Sequence, residues 1–517
     1  MKLRIFLLFL FLSLFRAQAD VIDSLMTHPR DSIALTSDSL VLRFLSESGI
    51  PISDNNKVRL LKSGREKFID LFSAIRDAKH HIHLEYFNFR NDSIANALFD
   101  LLAEKVKEGV EVRAMFDEFG TLMRWPGADP ALDPIVLMAH QDVVPTEGQE
   151  WAHDPFGAEI HDGEIWARGS LDTKNIAAGI LEAMDVLMVE GFVPPRDVYF
   201  FSSNGEEVSG PAARQAVAWL REHSIHPYLV MDEGGAVAAD APLGVEEPVA
   251  MVGVSEKGHV DVAVTARADG GHASTPADND ATRLLVRVCE NIAAKPGKPR
   301  FTRALDATLM ELASRSSALY RAVFSNLWLT RPLVSQIMAG NSEMGAMIRT
   351  TYALTQLEGS PAHNVLPTVA RANFNVRVAP FETVEDALDR MRDRAAEVCR
   401  ASGVSPDHVS IEIDEAVPYT EPAPVSPFED DPAFDYLHRC VAGVYPEAGF
   451  APYVQNSCTD SREFCAICER VYRFGGFIYS AEARSLLHTA NERIGVDVYK
   501  RGVEFYVAFL RNLSELG

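Results

Sequence analysis

The chain has 517 residues, more than one hydrophobic core accommodates, since cores stop growing at about 250–300 residues. Hydrophobic residues make up 47% and charged residues 24%, an ordinary globular composition. The formal net charge of −24 repels phosphate backbones and anionic lipid, so nucleic acid is not an expected partner.

Lys2 and Arg4 precede an apolar run over residues 5–15, and Ala17-Gln-Ala19 offers a small-residue cleavage site. That layout predicts a secretory signal over residues 1–19, because the run is shorter than the roughly 20 residues that span a bilayer. No later segment is apolar enough to cross. The mature chain is therefore expected to be exported, periplasmic or secreted, without an integral membrane segment. Six cysteines (Cys289, Cys399, Cys440, Cys458, Cys465 and Cys468) are too few for a disulfide-dense scaffold. Cys465 and Cys468 form a lone C-x-x-C on an expected helix over residues 462–470, where packed thiols are favoured over a zinc knuckle.

Residues 56–120 read as strand, helix, strand, helix, strand. The strand expected at residues 58–61 is followed by helical spacing of Phe68, Leu71, Phe72 and Ile75, and alternation follows over residues 82–89. A helix over residues 95–108 ends at Gly109, before a strand over residues 110–116. The stretches Leu61-Lys-Ser-Gly64, Ala78-Lys-His-His-Ile-His-Leu-Glu-Tyr86 and Gly109-Val-Glu-Val-Arg113 resemble the start of a phospholipase D or cardiolipin synthase domain. That family works through H-x-K-x-x-x-x-D, which occurs nowhere in the chain. His80, His81 and His83 do not replace it, because on a strand His80 faces away from the other two.

Beyond a turn-rich connector at residues 126–134, strand-like runs at residues 135–139, 198–202 and 228–231 alternate with helical stretches. This is α/β layout, in which functional residues stand where strands end. His140-Gln-Asp142 follows the first run, with Asp142 two residues on and able to support the His140 ring. Asp172 follows the turn Arg168-Gly-Ser170 and heads an expected helix over residues 175–189. Glu206 and Glu207 follow the second run. Adjacent carboxylates repel unless one holds a cation while the other takes a proton. Asp232 follows the third run, and His488 stands late in Leu486-Leu-His-Thr-Ala-Asn-Glu492. Mixed nitrogen and oxygen donors of this kind suit zinc, or cobalt or manganese.

Six stretches in order make the pattern specific: residues 134–145, Trp151 with Pro155-Phe156, residues 162–169, Glu206-Glu207, Met231-Asp-Glu-Gly-Gly235 and Thr459-Asp-Ser-Arg462. From about residue 122 the chain resembles the carboxypeptidase S branch of the glutamate carboxypeptidase and aminoacylase family of dinuclear zinc metallopeptidases. The resemblance implies that His140 and Asp232 bind one metal, Glu207 and His488 the other, and that Asp172 bridges them. Asp142 would support His140, and Glu206 would be the general base. A cis peptide between Asp172 and Thr173 is implied as well.

It also implies a mixed-sheet catalytic domain in two parts, residues 122–254 and 418–517. Between them, residues 255–417 would form an inserted βαββαβ lid through which the chain forms a homodimer. His272 would reach the active site of a second copy, and Asn364 and Arg377 would hold the carboxylate of a peptide or N-acyl amino acid. Two departures stand out. Thr173 and Asn175 replace the more usual Asp and Gly, and the segment that normally precedes the His140 strand is replaced by the fragment at residues 56–120, leaving apolar surface expected to be exposed. The expected function is a carboxypeptidase or N-acyl-amino-acid amidohydrolase. The alternatives are a phosphodiesterase, disfavoured for want of its nucleophile, and a catalytically impaired chimera.

Overall fold

Helical spacing of Phe68, Leu71, Phe72 and Ile75 becomes helix α1 (Gly64–Asp77), and the alternation of Ile82 and Leu84 becomes strand β1 (His81–Tyr86). Helix α2 (Ser93–Lys107) returns the chain to β2 (Glu111–Phe116), which pairs parallel with β1. Ile75, Ile82, Leu84, Leu98, Leu102 and Val110 close a small core between them. His81 and His83 share an exposed face, their rings 5.0 Å apart. The computed structural model describes residues 64–86, 93–116, 120–241, 244–415 and 418–516. The expected signal and the strand expected at residues 58–61 lie outside them. The elements above belong to the unit Met1–Phe119, and the remainder forms a second unit, Gly120–Gly517.

The second unit begins with β3 (Thr121–Trp125), β4 (Ile135–His140), β5 (Glu159–His161), β6 (Glu164–Trp166) and α3 (Lys174–Val189). It continues with β7 (Val198–Ser203), α4 (Ala212–Glu222), β8 (Leu229–Asp232), β9 (Ala236–Ala238) and β10 (Val249–Glu256). Then come β11 (Gly258–Arg267), β12 (Gly271–His272) and α5 (Ala281–Ala294), and four helices, α6 (Arg303–Arg315), α7 (Ala318–Phe324), α8 (Leu327–Ala339) and α9 (Ser342–Met347). Strands β13 (Thr351–Glu358), β14 (Val365–Leu366) and β15 (Val369–Val378), helix α10 (Val384–Ala401) and strand β16 (Val409–Ile413) follow. The chain closes with α11 (Pro432–Val444), β17 (Gly449–Gln455), α12 (Ser461–Phe464), β18 (Val471–Arg473), β19 (Ile478–Tyr479), α13 (Ala481–Ser485), β20 (Arg493–Gly495) and α14 (Val496–Arg511).

The main sheet runs β19-β9-β10-β18-β8-β4-β7-β3, with β17 also paired to β10. β4 lies between β7 and β8, parallel to both, and is buried along its whole length. A strand covered on both faces reads as a continuous apolar run, which is why residues 135–139 do not alternate. Helices α3 and α14 cover one face, where the largest core gathers Leu137, Ile180, Phe200, Phe477, Phe505 and Tyr506 among others. Helix α4 and Phe464 cover the opposite face. Leu181, Val186, Met188 and Val189 of α3 are exposed.

A second sheet, β13-β15-β11-β16, is antiparallel and packs against α5 and α10 around its own apolar cluster. Its chain order of strand, helix, two strands, helix, strand is interrupted by α6 to α9, which the sequence pattern did not reveal. Helix α6 packs on the main sheet rather than on this one. Leu312 clusters with Val249 and Ala451, and Thr308 donates to the carbonyl of Pro452.

The expected helix over residues 462–470 is shorter: α12 ends at Phe464, and Cys465 and Cys468 stand in the turns after it. All six cysteines are unpaired, and Cys468 is buried. Among the described residues no helix is long and apolar enough to cross a membrane.

Helix α14 lies close against the Phe477 ring at a glycine. A methyl group at Gly502 would stand 2.1 Å from the Phe477 ring, so no larger residue fits without displacing that ring. Overpacking of this kind costs about 1–3 kcal/mol. Gly502→Ala should lower the stability of the chain by that amount in a urea unfolding curve.

Candidate metal centre

The register of three parallel strands assembles the site. His140 stands opposite Ser203, and Leu137 stands opposite Met231, so the carboxyl ends of β4, β7 and β8 open at one edge. Side chains leaving those ends meet over the sheet, where open α/β sheets place their sites. His140 ends β4, Glu206 and Glu207 lie in a 3-10 turn after β7, and Glu233 follows the last residue of β8.

Asp172 arrives from outside the sheet. Gly169, at φ +85°, turns the chain in a conformation that other residues rarely adopt, and an added Cβ would strike Val143. The Asp172–Thr173 peptide is cis, as the family resemblance implied. The Thr173 hydroxyl accepts from the His140 amide at 3.1 Å and donates to its carbonyl at 3.2 Å, which ties this loop to the end of β4.

The Asp172 carboxylate stands between the two histidines. Oδ1 is 2.9 Å from His140 Nε2, and Oδ2 is 3.0 Å from His488 Nε2. Glu233 Oε1 lies 3.6 Å from His140 Nε2, and Glu207 Oε2 lies 3.3 Å from His488 Nε2. Two donor groups therefore share Asp172: His140 with Glu233, and His488 with Glu207. His488 has φ +61°, a left-handed backbone uncommon outside glycine, which sequence inspection could not anticipate.

Several expected residues stand elsewhere in the arrangement. The Asp232 carboxylate belongs to neither donor group, although it lines the same cavity as His140 and Glu206: its Oδ2 accepts the Ser461 amide at 2.9 Å, which anchors the start of α12. Glu233, one residue on, occupies the position beside His140 that the sequence reading gave to Asp232. The Asp142 carboxylate accepts the amides of Glu206 and Glu207 at 3.2 and 3.1 Å, while the His140 Nδ1 partner at 2.9 Å is the main-chain carbonyl of Asp142. Asp142 thus shapes the Glu206–Glu207 turn as well as orienting His140.

His272 and Asn364 share a short ribbon, β12 with β14, where the Ala273 amide donates to the Asn364 carbonyl. The His272 ring is hydrogen-bonded to Ser274 of its own turn. Arg377 lies on β15, with Nη1 3.5 Å from Cys458 Sγ in the loop that leads to Thr459.

Two buried ion pairs brace the centre, and neither was foreseen. Glu492 receives Arg168 Nη1 at 2.6 Å on one oxygen and the Leu171 and Asp172 amides on the other, joining the Asp172 loop to the His488 loop. Glu256 receives Arg473 Nε at 3.2 Å together with the amide and hydroxyl of Thr459, holding the loop before Ser461. The hint for Glu492 was only its place four residues after His488.

Crowded acids set the electrostatics. Burial pushes the Glu206 carboxyl up to about 8, with Asp460, Glu207 and Asp172 adding and His140 opposing. Burial raises Asp232 to about 6, and burial with the charge of Asp172 takes Glu233 well above the usual range. Burial works against the Asp172 charge, but hydrogen bonds from His140 and His488 hold its carboxyl well below that range. Glu207 Oε1 is buried and finds no hydrogen-bond donor among the described residues. A buried acceptor of that kind, beside imidazole nitrogens and further carboxylate oxygens, fits a divalent cation such as zinc.

Comparison with known proteins agrees. The profile of Peptidase family M20/M25/M40 matches residues 136–512. The chain belongs to that family. Its members are metal-dependent, and the chain is a metal-dependent amide hydrolase. It is 32% identical over 400 residues to the human N-fatty-acyl-amino acid synthase/hydrolase PM20D1, covering 77% of each chain. It is 31% identical over 406 residues to the probable carboxypeptidase S-like 2 of Dictyostelium discoideum, covering 77% of this chain and 75% of the other. The crystal structure of the M20 family metallo-carboxypeptidase Sso-CP2 from Sulfolobus solfataricus has the same fold, with a TM-score of 0.55 and 16% identity over 81% of this chain and 94% of that one. The family match begins at Val136 and gives no support to the phospholipase D likeness of residues 56–120.

Two consequences of this geometry are measurable. Removing Glu492 leaves Arg168 charged and buried without its partner, which costs about 3–5 kcal/mol, so Glu492→Ala should lose that much stability in chemical denaturation. The second concerns pH. Glu206 and Asp232 keep protons in the folded chain over a range in which the unfolded chain has released them. With a chelator present, stability should therefore fall as pH rises from about 4.5 to about 8. Zinc competes with those protons and should flatten the slope, a difference read from urea midpoints at the two ends of the window.

Proposed function

We propose that the protein hydrolyses an amide bond adjacent to an amino acid with a free α-carboxylate, as an N-acyl-amino-acid amidohydrolase or carboxypeptidase. The observation that carries this proposal is the Asp172 carboxylate, one oxygen toward His140 and the other toward His488. His140 and Glu233 would hold one zinc ion, His488 and Glu207 the other, and Asp172 both. Cobalt or manganese suits the same donors. A pair of such ions activates water and polarises a scissile carbonyl.

The chain's own groups perform the rest. Glu206 belongs to neither donor group. Raised above the ordinary carboxylate range, it is suited to accept the proton of the attacking water and deliver it to the leaving nitrogen. Asp142 fixes its backbone, so that the base and Glu207 keep opposite duties despite being neighbours. Arg377 is the proposed partner of the substrate carboxylate, because its planar fork matches that group, and Asn375 Oδ1 accepts its Nε at 3.1 Å. The names of the human and Dictyostelium relatives favour this substrate class, since fatty-acyl amino acids and carboxypeptidase substrates share a free carboxylate beside the cleaved amide.

The same proposal includes residues 255–417 as a lid and dimerisation domain, with His272 stabilising the developing oxyanion in a second copy and Asn364 assisting Arg377. It includes export after removal of residues 1–19.

Three variants test the assignment. Glu206→Gln should keep its metal and lose about 10²-fold or more in kcat. Glu233→Ala should lose one ion while Asp232→Asn keeps both. Retention of both ions by Glu233→Ala, with loss of one from Asp232→Asn, would restore the ligand first expected from sequence. Arg377→Ala should raise KM for an N-acyl amino acid far more than for its C-terminal amide.

A further inference from the structure

We propose that His153, Glu159 and His161 form a third divalent-cation site, separate from the Asp172 centre. Glu159 and His161 are two residues apart on β5 and so share one face of that strand. The loop before β5 brings His153 onto the same face, where its ring lies almost parallel to the His161 ring, at 13° and 3.7 Å between centroids. Glu159 Oε2 is 2.8 Å from His161 Nε2. One ligand atom from each of the three side chains lies within 4.8 Å of the others.

A carboxylate–imidazole hydrogen bond accounts for Glu159 and His161 but leaves the second imidazole unexplained. Aromatic rings avoid close face-to-face stacking, preferring offset or edge-on contact. The His153 ring has such an edge-on partner in Trp166, at 4.7 Å, and still lies flat on His161. A shared ion would use both imidazoles once one ring turns out of the stack, because each nitrogen binds along its own ring plane. Two imidazole nitrogens bound to a tetrahedral ion at about 2.0–2.1 Å stand roughly 3.4 Å apart, within the 4.8 Å that already contains the three donor atoms. Two nitrogens and a carboxylate oxygen select zinc or its neighbours over calcium and magnesium, with solvent completing the coordination.

The place of the site gives it a structural consequence. The segment that carries His153 also holds the His488 loop: Gln149 Nε2 donates to the His488 carbonyl at 3.0 Å, and the Ala152 amide donates to Asn491 Oδ1 at 2.7 Å. Behind it, the Trp166 ring packs against the Arg493 guanidinium, 4.8 Å away, where β6 pairs with β20. An ion joining His153 to β5 would staple the two ends of this segment and so brace the loop beneath His488. The bracing, unlike the site itself, depends on the proposed role of His488.

The test is zinc bound per chain after equilibrium dialysis of the full chain against free zinc, with His153→Ala, His161→Phe and Asp172→Ala in parallel. His161→Phe keeps a ring against His153 but removes the ligand. Expected are about three ions in the parent chain, about two in each histidine variant and about one in Asp172→Ala. Zinc should still raise the Tm of Asp172→Ala, and adding His161→Phe should abolish that rise. Equal zinc in the parent and both histidine variants overturns the third site. A loss confined to the histidine variants supports it while overturning the Asp172 centre.

Discussion

One carboxylate between two imidazoles is the constraint on which the rest of the site depends. Asp172 faces His140 from the sheet and His488 from a distant loop, and the chain spends much of its buried polarity keeping all three in register. The Thr173 hydroxyl ties the Asp172 loop to β4. Glu492 ties the same loop to the one that carries His488. Glu256 with Arg473 secures the loop that in turn anchors Asp232. Each of these groups acts on the geometry of the centre without belonging to it.

The cost of that design is charge. Asp142, Asp172, Glu206, Glu207, Asp232, Glu233 and Asp460 gather around the end of one sheet, and burial makes several of them weaker acids than usual. Protons relieve part of the repulsion, and divalent cations would relieve it more completely. The tension has a chemical use: a carboxyl held near neutrality is better matched to moving a proton at physiological pH than an ordinary glutamate. Stability and activity therefore draw on the same crowded acids.

Much of this was legible in the sequence because the supporting physics is local. An apolar run that ends in His140 is a buried strand delivering a ligand to its carboxyl end, and Glu206-Glu207 follows the neighbouring strand in the same way. Asp232 and Glu233 mark the limit. Both are acids at the end of β8, but Asp232 Oδ2 is taken by the Ser461 amide while Glu233 Oε1 stands 3.6 Å from His140 Nε2. No spacing argument separates the two; the long-range contacts with Ser461 and His140 do. The left-handed backbone of His488 and the bracing by Glu492 were hidden for the same reason, since both depend on contacts more than 300 residues apart in the chain. Helices α6 to α9 escaped notice because they interrupt an otherwise regular βαββαβ order, with α6 packing on the other sheet and α7 and α8 clustering on α6.

The most direct measurement is anomalous diffraction at the zinc edge from crystals of the zinc-loaded chain. The account predicts two peaks about 3.5–4 Å apart flanking the Asp172 carboxylate, one within bonding distance of His140 and Glu233 and the other of His488 and Glu207. A single peak there, or peaks that leave Asp172 bound to only one of them, would contradict it.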